Sequence, residues 1–203
     1  MKNLFSTAAL ALLLCFVSNA GAADPFKPDA DGYIRHWVML APISLPEGET
    51  GSEGIFKEQI MGEATLRPRA GDKVKVGGKE LTWQNITAST NYFDFTAMVK
   101  TLNDREAGYA VTYIESETEQ SDAIMAVASN DEGRIYFNGV DIYVFGEPRT
   151  LMLDADKGKV TLKKGLNVVV FKIINEQGNW QGAMRLLDKR GAPLKNVKIK
   201  LSP

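Results

Sequence analysis

Apolar and polar residues alternate over much of the chain, and turn residues break the alternation at short, regular intervals. Ile34-Arg35-His36-Trp37-Val38-Met39-Leu40 predicts a first strand, preceded by an extended polar arm over 23–33 that carries Pro25 and Pro28. Pro42, Pro46 and three glycines between Ala41 and Gly54 predict a loop. Ile55, Phe56, Gln59 and Ile60 recur as on one helical face, which predicts one or two turns before Gly62. The stretch from Leu66 to Gly78 is polar and marked by Pro and Gly. Leu81–Ile86 reads as a short strand, and Tyr92–Val99 is an aromatic segment without a clear period.

From Ala107 the strand pattern becomes dense. Tyr109–Ile114, Ala123–Ser129, Arg134–Phe137 and Val140–Val144 read as strands, and the last two are separated only by Asn138-Gly139. An Asn-Gly pair between two β-rich runs predicts a tight hairpin, because its turn needs positive φ at both central residues. Further runs follow at Arg149–Leu153, Lys159–Leu162, Leu166–Ile174, Gln181–Leu187 and Asn196–Leu201. Leu166–Ile174 is apolar on both alternations except at Asn167 and Lys172, as expected of a central strand. Many short strands with few helical patterns predict an all-β protein, a β-sandwich over 34–203 with one or two short helices in its N-terminal half.

Residues 1–22 stand apart from this pattern. Lys2, the apolar run Leu4–Val17 and the exit Ala20-Gly21-Ala22 have the form of a secretory signal peptide. The expected location is therefore secreted or periplasmic. The only cysteine, Cys15, falls inside this segment, so no disulfide and no thiol chemistry are expected in the processed chain. No later stretch is long and apolar enough for a membrane span. Twenty-four basic and 25 acidic side chains give a formal net charge of −1, which argues against nucleic acid. Lys195, Lys198 and Lys200 flank Val197, Ile199 and Leu201 and read as the solvated face of an edge strand.

The chemistry the chain lacks is as informative. His36 is the sole histidine, so a His-rich zinc site cannot be assembled; Ser52 in Thr50-Gly51-Ser52-Glu53-Gly54 lacks the first glycine of a nucleophile elbow and His36 beside Trp37 reads as a packed or rim residue, so no catalytic residue is assigned. Glu115, Glu117 and Glu119 lie in a hydrophilic stretch between two strands and read as a solvated turn. Asp154-Ala155-Asp156-Lys157-Gly158 has only half of a calcium loop. Ser129-Asn130-Asp131-Glu132-Gly133 is a polar loop that could offer oxygens to Ca²⁺ or hydrogen bonds to a sugar; it also reads as a simple turn with Gly133 at positive φ. Trp37, Trp83, Tyr92, Phe93, Phe95, Tyr109 and Trp180 supply either ring faces for stacking or core.

With these residues in view, Ala107–Asp188 resembles the galactose-binding-like jelly-roll module found beside secreted bacterial glycoside hydrolases and carbohydrate esterases. The likeness is carried by Ala107-Gly108-Tyr109-Ala110, Ala128–Gly133, Ile135-Tyr136-Phe137-Asn138-Gly139, Leu162–Asn167, and Trp180 with Arg185, Asp188 and Gly191. Ile34–Ala41 and Trp83 fall where that family places its opening strand and a middle tryptophan. A related module, of the anthrax-protective-antigen type, has consecutive aspartates where this chain has Asn130-Asp131, and some members hold Ca²⁺ through them. The resemblance implies a non-catalytic binding module; the residues themselves offer Trp37, Trp83, Tyr92, Asn130 and Asp131 as ligand-binding candidates, with Ca²⁺ at Asn130 and Asp131 as the only cofactor to consider. The expected ligand is a polysaccharide. The alternative is an envelope structural or interaction protein, an accessory subunit that binds a partner protein.

Overall fold

The computed structural model describes residues 25–203; the expected signal segment, with Cys15, lies outside the described residues. Two antiparallel sheets face each other as an all-β sandwich. The larger contains β1 (His36–Ser44), β4 (Gln84–Thr87), β6 (Glu106–Ser116), β8 (Glu132–Phe137), β9 (Val140–Phe145), β11 (Gly165–Asn175) and β13 (Val197–Lys200). Its order is β4-β1-β6-β11-β8-β9, with β13 on the far half of β6, where Ile199 stands opposite Ile114. The smaller sheet contains β5 (Phe93–Asp94), β7 (Gln120–Asn130), β10 (Asp156–Leu162) and β12 (Gln181–Leu187), in the order β10-β7-β12-β5. A separate hairpin is formed by β2 (Lys73–Val76) and β3 (Lys79–Thr82).

The alternation of side chains along each strand decides the core. Met39, Ala110, Ile114, Val169, Phe171, Ile173, Ile135 and Phe137 point from the larger sheet toward Met125, Val127, Met184 and Leu186 of the smaller. The strands β6 and β11 are buried on their other face too. There Leu40, Tyr109, Val111, Tyr136, Val170 and Ile174 pack under Leu45, Ile55, Ile60 and Trp83, which come from the segment between β1 and β4. This second cover explains why Leu166–Ile174 is apolar on both alternations. Its two polar exceptions are buried and bonded: Asn167 Nδ2 donates to the Lys163 carbonyl (2.8 Å), and Lys172 is treated below.

The Asn138-Gly139 turn is as expected, with φ of 53° and 82° joining β8 to β9. Several other boundaries differ. Ala41–Ser44 continue β1 instead of opening the loop, since Ile43 is a core residue opposite Ala107. The helical turn, α1, lies at Gly51–Gly54, upstream of the periodic residues, because Thr50 and Glu53 form a reciprocal capping box there. Ile55 and Ile60 are buried as loop residues, and a 3-10 turn follows at Glu63–Thr65. Leu81–Ile86 divides at Trp83 into β3 and β4. Arg149–Leu153 is not a strand; Arg149 is held by side-chain bonds and Met152 is exposed. Gly133 lies within β8 and not at a positive-φ turn, with Ser129 packed over it. Among the described residues, helical structure in the N-terminal half amounts to α1 and two 3-10 turns, the second at Phe95–Met98.

Phe26 of the N-terminal arm exchanges backbone hydrogen bonds with Ile199 (3.0 and 2.7 Å), and its ring stacks on His36 at 3.8 Å. The arm therefore finishes the edge beside β13. Lys198 and Lys200 point to solvent and pair with Glu117 (3.1 Å) and Glu115 (2.9 Å). Among the described residues no helix is long and apolar enough to cross a membrane.

Candidate functional site

A corner where β7 passes into β8 through Asp131 alone brings several chain segments together. Asp131 Oδ1 accepts the Arg149 N–H (3.1 Å), and Oδ2 accepts those of Glu176 (3.0 Å) and Gln177 (3.1 Å). Burial nonetheless raises the Asp131 pKa, against the opposing pull of these donors. Arg149 reinforces the corner. Its guanidinium donates to the Ser129 carbonyl (3.2 Å), the Ser129 hydroxyl (3.1 Å) and the Tyr143 hydroxyl (2.6 Å), pairs with Asp156 (2.8 Å), and lies 3.7 Å above the Phe145 ring. A shallow depression of about 340 Å³ results, lined by Asn130, Asp131, Pro148, Arg149, Thr150, Gln177 and Asn179. Asn130 Oδ1 is buried there without a hydrogen-bond partner in the protein.

The five candidate residues do not form one site. Asn130 and Asp131 meet at the corner just described. Trp37 is fully buried between the sheets, where its Nε1 donates to the Ile34 carbonyl at 2.9 Å and its ring packs on Phe93. Trp83 is buried on the opposite side of the larger sheet. Tyr92 is half-buried against Tyr33, Ala128 and Ala183 on the outer face of the smaller sheet. Trp180, Phe93, Phe95 and Tyr109 are also enclosed. Neither Trp37 nor Trp83 therefore presents a ring face for stacking in this structure, which corrects the expectation drawn from their positions. Large aromatics here satisfy the core first.

Asp131 does not fit Ca²⁺, since both oxygens already accept backbone N–H groups and the neighbouring Asn130 brings no charge. In the half calcium loop, Asp154 pairs with Arg185 and Asp156 with Arg149 and Tyr143. Among the described residues no three His, Cys, Asp or Glu side chains converge as a metal cage. His36 sits at the rim with Nδ1 3.1 Å from the Thr87 hydroxyl, and burial lowers its pKa.

Two polar clusters escaped the sequence reading. The first is Glu63, whose carboxylate accepts the hydroxyls of Tyr109 and Tyr136 (2.6 Å for the latter) and lies 3.3 Å from Lys172 Nζ. The Lys172 ammonium also donates to the carbonyls of Gly54 (3.1 Å) and Lys57 (2.5 Å), so the network fastens the 54–63 segment to the sheet. Lys172 was visible as a polar break in a central strand; Glu63, in a polar stretch after Gly62, gave no signal. The second cluster is Glu132 with Glu176. A Cβ on Gly51 would sit 2.5 Å from Glu132 Oε2 and 2.6 Å from Glu176 Oε2, so both carboxylates converge on the glycine backbone of α1. Glu132 has no exposed surface, while Glu176 is partly exposed.

No protein-family model and no curated protein matches the chain. Among solved structures it is similar to a β-glucosidase from Kluyveromyces marxianus in complex with glucose, at 13% identity and a TM-score of 0.33. The likeness covers 77% of this chain and 19% of that one, and at this level it carries no argument about activity.

Proposed function

We propose that this chain is an exported, non-catalytic binding module of the galactose-binding-like kind, which holds a hydroxyl-rich ligand of carbohydrate type at the Asn130–Asp131 corner. The observation that carries this reading is the polar depression itself. Asn130, Thr150, Gln177 and Asn179 line it with amide and hydroxyl groups, while Asp131 and Arg149 lock the loops that bear them. With the tryptophans enclosed, recognition rests on hydrogen bonds, so binding is expected to be weak and selective for hydroxyl arrangement. Export rests on the N-terminal pattern alone. The test is an NMR titration of the purified protein with mono- and oligosaccharides. Shift changes confined to residues 130–131, 149–150 and 177–179, and abolished by Gln177→Ala, support the reading; a panel that perturbs nothing there at millimolar concentration sinks it.

A second reading, a subunit that holds a partner protein, is favoured by β9. This free edge of the larger sheet exposes Val140, Ile142 and Val144, and Phe56 is exposed beside Gly146 at its end. The other long-sheet edge, β4, carries Gln84, Asn85 and Thr87 instead. Co-purification of a stoichiometric protein from the native host, lost in Ile142→Lys, would establish that reading; its persistence in Ile142→Lys would remove β9 from consideration.

A further inference from the structure

Where β7 turns into β8 and β11 ends, three carboxylates share one neighbourhood, and the cation that packs there, Arg149, spends its guanidinium on Ser129, Tyr143 and Asp156. Glu132 is wholly buried and neither of its oxygens has a hydrogen-bond partner. Burial, with the negative charges of Asp131 and Glu176, raises its pKa and outweighs the opposing pull of its own backbone N–H and of the Ser52 hydroxyl. The other charged groups packed around this end are engaged elsewhere. Arg134 of β8 is held by Asp141 (2.7 Å) and the Ile55 carbonyl (3.1 Å). Lys172 of β11 is held by Glu63, Lys57 by Glu49, and Glu53 by the Thr50 cap. Glu49 itself keeps a second buried oxygen without a partner. Glu106, across the sheet on its inner face, is bonded through one oxygen to Asn103 (3.1 Å).

The roof over this acidic pocket is the turn Thr50–Ile55. Gly51 lies directly on both carboxylates, and its N–H donates to Glu176. At the other end of the turn, Ile55 is buried in the core and its carbonyl is held by Arg134 and Lys172. One end is thus anchored by apolar burial and two cations, and the other by its contacts with the carboxylates of Glu176 and Glu132. We propose that Glu132, beside Glu176, forms a proton-held latch: a proton on Glu132 keeps the Thr50–Ile55 turn closed on the sheet, and its loss lifts the Gly51 end about the Ile55 anchor. An ionised carboxylate with no exposed surface is strongly disfavoured beside the negative Asp131 and Glu176, and lifting this turn opens Glu132 to water. Burial pushes the Glu132 pKa up to about 7, which places the release near neutrality.

The latch does not depend on the ligand assigned above. Its test is amide hydrogen exchange over pH 5.5 to 9 in the presence of EDTA, corrected for the intrinsic pH dependence of exchange. Protection at the Gly51 and Gly54 amides is expected to fall about tenfold across neutrality, while amides of β11 stay unchanged. In Glu132→Gln the profile should be flat. A flat profile in the native protein, or the same fall in the variant, overturns the proposal. Should the variant fail to fold, the ¹³C titration of the Glu132 carboxyl in the native protein decides: a midpoint near 7 supports the latch, and one near the ordinary glutamate value removes it.

Discussion

The Lys172 ammonium and the Glu63 carboxylate lie 3.3 Å apart with neither side chain exposed. The pair is satisfied on all sides, by Tyr109 and Tyr136 hydroxyls on the carboxylate and by backbone carbonyls on the ammonium. Desolvation nevertheless wins at the lysine, whose pKa is lowered despite the upward pull of Glu63. Breaking such a pair on one side leaves a buried charge without its partner. Lys172→Met is therefore expected to lower stability by about 3–5 kcal/mol in urea unfolding. Adding Glu63→Gln should recover part of that loss, because the stranded charge goes with it. A double variant that is less stable than Lys172→Met by the full cost of Glu63→Gln alone would show that the two do not act as a pair.

Trp37 gives a second expectation. Its ring is enclosed between the sheets and its N–H has a backbone partner, so Trp37→Ala should cost about 3–5 kcal/mol of stability. The same holds in direction for Trp83 in the outer cluster. Either variant that keeps wild-type thermal stability, while losing affinity for a sugar, would return these rings to the binding surface.

The elements most legible in the sequence were those set by local chemistry. Asn138-Gly139 forms its hairpin because the two residues tolerate positive φ, and Leu166–Ile174 is central because both its faces are covered. Sites that depend on contacts between distant residues were not legible. Glu63 meets Lys172 across 109 positions, and Glu176 reaches Gly51 across 125. The Asn130–Asp131 corner was identified as polar, but its partners Arg149 and Gln177 could not be, since nothing in a strand pattern reports what a corner folds against. The aromatic inventory misled for the opposite reason: composition counts tryptophans without showing which side of a sheet they occupy.

Glu132 makes stability depend on pH in a definite direction. Burial raises its pKa from 4.5 to about 7, so the folded protein keeps a proton that the unfolded chain has already released. The stability of the fold is then highest below pH 4.5 as far as this group is concerned, falls as pH rises toward 7, and is level above it. The full shift corresponds to roughly 3 kcal/mol. Urea midpoints measured at pH 5 and pH 8 should differ less in Glu132→Gln than in the native protein, with the variant more stable at pH 8. Equal differences in the two proteins would mean that Glu132 titrates normally.

Gly158 offers the converse experiment, a gain of stability. It lies in β10 opposite Met125, on the side that faces the space between the sheets, and a Cβ added there meets nothing within 4 Å. The missing side chain helps leave a groove of about 360 Å³ between Met125, Val127, Ile135, Ile142, Tyr143 and Val160. Its φ is outside the left-handed range, so a branched residue fits the backbone. Gly158→Val should fill part of the groove and remove the entropic penalty of glycine in a strand, raising stability by about 1 kcal/mol. Thermal unfolding of the two proteins checks this directly. A lower melting temperature in Gly158→Val would mean that the strand needs its glycine, as it would if another group packed against the open groove.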